Sequence, residues 1–448
     1  MAHQAYALPW QTLADNFKFV YANTHYLHKT NLYPRSKPGQ GKQLQHFAKV
    51  FARVMDEHST TERKKYSTEY SPPEHGDEIV IPDTTMTNIR NVVREYMKGY
   101  RRDSSEAEKD PISLIGRTMS TWISVSQNTD CHPGDEDIFT DELLRTLILY
   151  DEMDVLFRIA AHPVVCLPKL WTQGGKFAFE LGGWGLSELK EAALLAYVCL
   201  NVLHLKPELY DPKMREQMLE EQTMRHVQTL PPETYDYRLT SAYQQMLVFC
   251  TKTGDVYPHY GAHKIPHREF YGIPFGMYTA KVRWHSPGNY GHTVHYGVVS
   301  PPDLVDKKFP QKHVPSKGDI VLVQNLFRLF KLPTGIIQMI LDMANYTPKG
   351  RLYTHADPLH IDNVEELKKY LAYCWKLLVR VDMLMKANGT RLDWEYEVAE
   401  AIYKLFGIPY PKMSILVEKS AEEHAKLKGE RYDMRGWVFT YDKKRVFT

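Results

Sequence analysis

"ELKEAALLAYVCLNVLHLK", residues 188–206, decides the fold class. Glu188, Lys190 and Glu191 open it with charge, and from 192 to 205 only Asn201 and His204 interrupt a run of Ala, Leu, Val, Tyr and Cys. The length and composition predict a helix, with Ser187 as its N-cap. A helix apolar nearly all round has to be enclosed by other elements. The apolar run is also too short for a membrane span, which needs roughly 20 residues. The expectation is a buried central helix in a mainly α protein that does not enter a membrane.

Outward from this helix, the same signals recur. "DELLRTLILYDEMDVLFRIA" (141–160) places Leu144, Ile148, Val155, Leu156 and Ile159 at three- and four-residue steps behind an acidic first turn, and predicts one long helix ending at His162-Pro163. Asp211-Pro212 opens another helix as N-cap and first helical residue. Asn363 with Glu366 makes a capping-box pattern before "LKKYLAYCWKLLVRVDMLMKA" (367–387), closed by Asn388-Gly389. A further helix is expected from Asp393 to Phe406, stopped by Gly407 and Pro409.

Residues 255–302 break the pattern. "MYTAKVRW" (277–284) and "HTVHYGVV" (292–299) alternate, with Ser286-Pro287-Gly288-Asn289 between them as a turn, which predicts a hairpin or small sheet. The predicted fold is therefore a large helical domain with a smaller β-containing insertion near residues 255–302, dividing the chain into 1–254, 255–318 and 319–448. Connecting stretches are expected at 34–42, 67–78, 128–137 and 301–318.

Composition bounds the function classes. The chain has 448 residues, 43% of them hydrophobic, with 29 Tyr, 17 Phe and 8 Trp, which excludes a wholly disordered protein. Five widely spaced cysteines without a C-x-x-C pair fit buried free thiols in a reducing compartment. "MAHQAYALPW" at the amino terminus has no secretory pattern, so a soluble, cytoplasmic protein is expected.

Charge is locally uneven although the formal net charge is only +2. Residues 18–54 carry Lys18, Lys29, Arg35, Lys37, Lys42, Lys49 and Arg53 with no acid, interleaved with Tyr, Phe and His. Cations neutralise phosphates and aromatic faces stack on unpaired bases, so this segment reads as a nucleic-acid-binding stretch, set as a cationic loop between two helical patterns. Residues 103–142 carry ten acids against Lys109 and Arg117, and offer the basic segment an alternative partner in the same or a neighbouring chain.

Reaction motifs are weak. His259, His263, His267, His285, His292 and His295 crowd the middle of the chain, and three converging imidazoles would hold zinc or iron. The spacing opposes this, because Pro258, Gly261 and Pro266 interrupt a long helix and His292 and His295 face opposite sides of a strand. His355-Ala356-Asp357 with His424 fits a facial-triad pattern in letters, but it sits in a helical context. "TQGGKFAFELGGWGLSE" (172–188) places glycines before a helix without being a phosphate-loop motif. "LPTGIIQMILDMANY" (332–346) resembles the start of an F-box helix over about fifteen residues, with Gly335 in place of the acid common there. An ordinary amphipathic helix with proline at its start gives the same letters, and that reading is kept.

These observations lead to a structural protein: a self-assembling coat or nucleocapsid-type subunit, viral, with its basic segment on RNA and its aromatic surface in homo-oligomer contacts. No cofactor and no metal are expected. The alternative is a metal-dependent enzyme using the central histidines, and a third reading is an adaptor module.

Overall fold

The computed structural model describes residues 7–22, 29–35, 40–100, 117–127, 135–165, 167, 186–252, 264–273, 296–297, 304, 315, 317–344, 351–407, 416–418 and 437–439. Among these the chain is mainly helical, as its periodicity predicts. In order they run α1 Trp10–Asp15, β1 Phe17–Val20, β2 Asn31–Pro34, α2 Gln40–Arg63, α3 Asp83–Tyr100, α4 Met119–Gln127, α5 Asp135–Leu149, α6 Met153–Ala160, α7 Leu186–His204, α8 Pro212–Met224, α9 Ser241–Thr251, α10 Ile265–Tyr271, α11 Lys317–Leu329, α12 Thr334–Met343, α13 Val364–Ala387 and α14 Trp394–Phe406. Two short antiparallel pairs, β1–β2 and Leu416–Glu418 with Trp437–Phe439, are the described sheets.

Helix α7 is the centre. Every residue from 192 to 203 is buried, Asn201 included, whose amide donates to the Tyr197 carbonyl one turn back. It is packed by α1, α5, α9, α13 and α14, while α2 lies across α13 and α14. Where these elements meet, aromatic rings fill the gap. Trp10 lies 5.4 Å from Tyr197, Phe51 lies 5.4 Å from Trp375, and Tyr197 lies 5.3 Å from Trp375. Much of the described aromatic content thus goes inward.

Several local details differ from the sequence reading, each for a physical reason. The 141–160 pattern is two helices, because Asp151 takes a left-handed backbone (φ 65°) and breaks it. That residue is held there by Tyr66, whose hydroxyl donates to it at 3.0 Å, and by an ion pair with Arg380 at 2.9 Å. Asn363 does not cap α13. It is fully buried, accepts from the Tyr353 and Thr354 amides and donates to the Thr354 and Asp357 carbonyls, closing the 353–357 loop. Asp211 caps α8 as expected, Asp393 caps α14 one residue before the helix begins, and Gly389 ends α13 with φ 68°. The helical pattern ahead of the basic loop extends only through α1. From Phe17 the chain alternates buried Phe17 with exposed Lys18 and pairs with β2.

The predicted hairpin of 277–299 lies outside the described residues apart from Tyr296 and Gly297. What is described of 255–302 is mostly helix α10, whose first turn contains Pro266, a position where proline costs no hydrogen bond. His267 on it is buried against α13, its Nδ1 2.5 Å from the Tyr370 hydroxyl and its Nε2 without a partner among the described residues. Burial, then the charges of Lys264 and Arg268, push its pKa down to about 3, and burial takes His204 to about 4. Both depressed values mean the unfolded chain takes up these protons first. Stability should therefore be full above about pH 6.5 and fall as pH drops toward 4 and below. Denaturant midpoints at pH 7 and 4.5 check this, and His267→Gln should flatten the acid slope by about one proton.

Candidate functional site

Six of the seven cations of 18–54 are described, and they lie in three settings. Lys18 is exposed on β1, whereas Lys29 is half-buried with its pKa lowered by desolvation. Arg35 donates Nε to the Phe17 carbonyl and secures the hairpin. Lys42, Lys49 and Arg53 share the exposed stripe of α2 with His46, and Arg53 pairs with Glu57 at 3.8 Å. Lys37 lies outside the described residues, as do His259, His263, His285, His292, His295, His424 and residues 172–185. Of the H-x-D pair, Asp357 accepts the Tyr237 hydroxyl at 2.6 Å and His355 rests against Gly272. Among the described residues no cluster of His, Cys, Asp and Glu is arranged to hold a metal.

A different set of residues surrounds a cleft of about 410 Å³ where the end of α2, the segment 68–70, α6 and the end of α13 meet. Phe157 and Met383 give it apolar walls and Ser59, Arg63, Tyr70 and Lys386 give it polar ones. The sequence places them there through ordinary helix faces. Val155, Leu156 and Ile159 turn inward from α6 and Leu378, Val381 and Leu384 from α13, which leaves Phe157 on the cleft side of α6 and Lys386 at the end of α13.

Behind the cleft stands a hydrogen-bonded network. Lys386 Nζ lies 2.6 Å from Asp56, 2.9 Å from Asp382 and 2.8 Å from the Ser59 hydroxyl. Ser59 donates to Asp382 Oδ2 at 2.6 Å, and Trp394 donates to Asp382 Oδ1 at 2.7 Å. Burial alone lowers the Lys386 pKa, but the bonds to Asp56 and Asp382 outweigh it and hold the ammonium charged. A charged lysine takes no proton from a serine, so Ser59 and Lys386 are not a nucleophile and its base. The network joins α2, α13 and α14.

Arg63 is unlike the other cations at this site. Its guanidinium lies 4.3 Å from the Phe157 ring centroid and 5.5 Å from that of Tyr70, and it donates to the Ser67 carbonyl. Among the described residues no carboxylate lies within ion-pairing distance of it. Tyr70 in turn donates to Asp154, and burial followed by that bond pushes its phenol up to about 12. The cleft therefore presents an aromatic-backed guanidinium with donors to spare, beside apolar walls.

Comparison with known proteins identifies the family. The profile described as "Gramillins biosynthetic cluster protein GRA5" matches residues 11–419. The chain belongs to that family. No curated protein and no solved structure matches it. Membership of the GRA5 family overturns the viral coat reading and with it the capsid and nucleocapsid assignment. That reading rested on an absence of reaction motifs and on local positive charge, and the described cations of 18–54 are divided among hairpin anchoring, burial and a helix face. No helix among the described residues is long and apolar enough to cross a membrane.

The network sets an expectation for stability in this GRA5-family chain. Lys386→Met removes the cation facing Asp382, whose side chain is only 3% exposed, and should cost about 2–4 kcal/mol in chemical denaturation. Asp56→Asn, at a carboxylate 66% exposed, should cost less than about 1 kcal/mol.

Proposed function

We propose that this chain is a cytoplasmic ligand-binding protein serving the kind of biosynthesis named in its family's description, and that the cleft beside Arg63 takes a small organic acid with an apolar body. The observation that carries the reading is the Arg63 guanidinium, stacked on Phe157 and lacking a carboxylate partner among the described residues. An unpaired guanidinium held on an aromatic face is preorganised for a carboxylate, which it binds through two parallel N–H bonds. Phe157 and Met383 suit the apolar remainder, and a cleft of about 410 Å³ is within the usual range for small-molecule sites. Cys199, Cys250 and Cys374, free and buried, accord with a reducing compartment. A binding role fits better than hydrolysis at Ser59, because the hydroxyl is committed to Asp382 and Lys386.

Calorimetric titration of the full chain with 3-phenylpropanoate and with its neutral amide tests this. The carboxylate should bind at least about tenfold more tightly, the usual worth of a charge-assisted contact. Arg63→Gln should erase the difference while the unfolding transition stays cooperative. Equal affinities, no binding of either compound, or an unaltered preference in Arg63→Gln would remove the assignment.

A further inference from the structure

Helices α11 and α12 form a hairpin with more apolar surface than its own packing uses. Of the eighteen large hydrophobic side chains exposed among the described residues, nine lie between 317 and 343. Its buried residues Ile337 and Leu341 are outside the main core that holds the other helices. The turn between the two helices is well determined. Lys331 takes a left-handed backbone (φ 58°), the Leu332 amide bonds back to the Phe327 carbonyl at 3.2 Å, and the Lys331 amide bonds to Arg328 at 2.8 Å. Pro333 then starts α12. This Schellman-type turn holds Leu329 and Phe330 out at 78% and 77% exposure.

Charge says what this tip fits. Arg328 and Lys331 bracket the two apolar residues, both are exposed, and among the described residues neither has a carboxylate within ion-pairing distance. Within the hairpin, residues 317–343, the charged side chains are Lys317, Arg328 and Lys331 with Asp319 and Asp342, and the two cations Arg328 and Lys331 are the ones at the tip. A tip that carries two cations beside two exposed apolar side chains matches the boundary of an anionic bilayer, where acyl chains receive the apolar side chains and headgroup phosphates the cations. A second copy fits worse, because a two-fold contact through the tip would bring the Arg328 and Lys331 of both chains together uncompensated.

We propose that the α11–α12 tip docks on an anionic lipid surface, with Leu329 and Phe330 entering the interface and Arg328 and Lys331 at the headgroups. The contact lies on the membrane without spanning it.

Co-sedimentation of the full chain with lipid vesicles tests the proposal. Vesicles of phosphatidylcholine with about 30 mol% phosphatidylserine should pellet the protein, and pure phosphatidylcholine vesicles should do so far less. Each cation near such a surface is worth roughly fivefold in partitioning, so the double variant Arg328→Gln with Lys331→Gln should bind about 25-fold more weakly. Leu329→Asp with Phe330→Asp should abolish binding. Its substitutions are at exposed positions, and an unchanged thermal transition shows that the fold is kept. The proposal is overturned by equal pelleting with neutral vesicles, by undiminished binding of the Leu329→Asp, Phe330→Asp variant, or by no vesicle binding. A dimer that depends on the same two residues, seen by sedimentation velocity without vesicle binding, would overturn it in favour of self-association.

Discussion

Helix α7 has no face to offer water. Twelve successive buried residues, 192–203, require neighbours on every side, and α1, α5, α9, α13 and α14 supply them. Each neighbour needs only one apolar stripe, because the central helix accepts contact from any direction. Several polar groups near it have partners. Asn201 bonds within its own helix, Lys190 pairs with Glu397 of α14, and the Cys250 thiol meets the Ala192 carbonyl. Removing apolar surface on this scale from water is the main favourable contribution to such a fold, and the close fit of rings such as Trp10, Tyr197 and Trp375 makes the arrangement unique.

The chain ends of this arrangement are then tied by specific polar bonds. Asn31 on β2 donates to the Leu405 carbonyl at the end of α14 and accepts from the Ala242 amide at the start of α9. Asp382 does the same for α2, α13 and α14 through Ser59, Lys386 and Trp394. The second of these clamps also sets the back of the cleft. The Arg63 side of the cleft is independent of it, since Arg63 is held by Ser67, Phe157 and Tyr70. A rigid wall and a separately held cation let either side of the cleft change without the other.

Some of this was legible in the chain and some was not. The 188–206 run demanded burial whatever surrounded it, and Asp211-Pro212, Asp393 and Asn388-Gly389 mark helix ends by bonds confined to a few neighbouring residues. Asn363 shows the limit. Its neighbours read as a capping box, yet its amide serves the loop at 353–357, because four bonds to that loop outcompete a single cap. Asp151 shows another, since its left-handed backbone is held by Tyr66 and Arg380, both remote in sequence. The basic segment of 18–54 was plain as a count of charges, but a count does not show that Lys29 would be half-buried or that Arg35 would bond to a carbonyl.

The cleft was invisible for the same reason. Arg63 stands in "TTERKK" (60–65), which reads as a solvated charged turn, while Phe157 and Lys386 lie far along the chain in unrelated helices. By itself the sequence determined what depends on nearest neighbours and on period: helical class, the need to enclose residues 192–203, and the helix ends at Asp211, Gly389 and Gly407. Only the tertiary structure decided which cation loses its carboxylate partner and gains an aromatic backing, because that depends on how α2, α6 and α13 converge around a helix that all must help to bury.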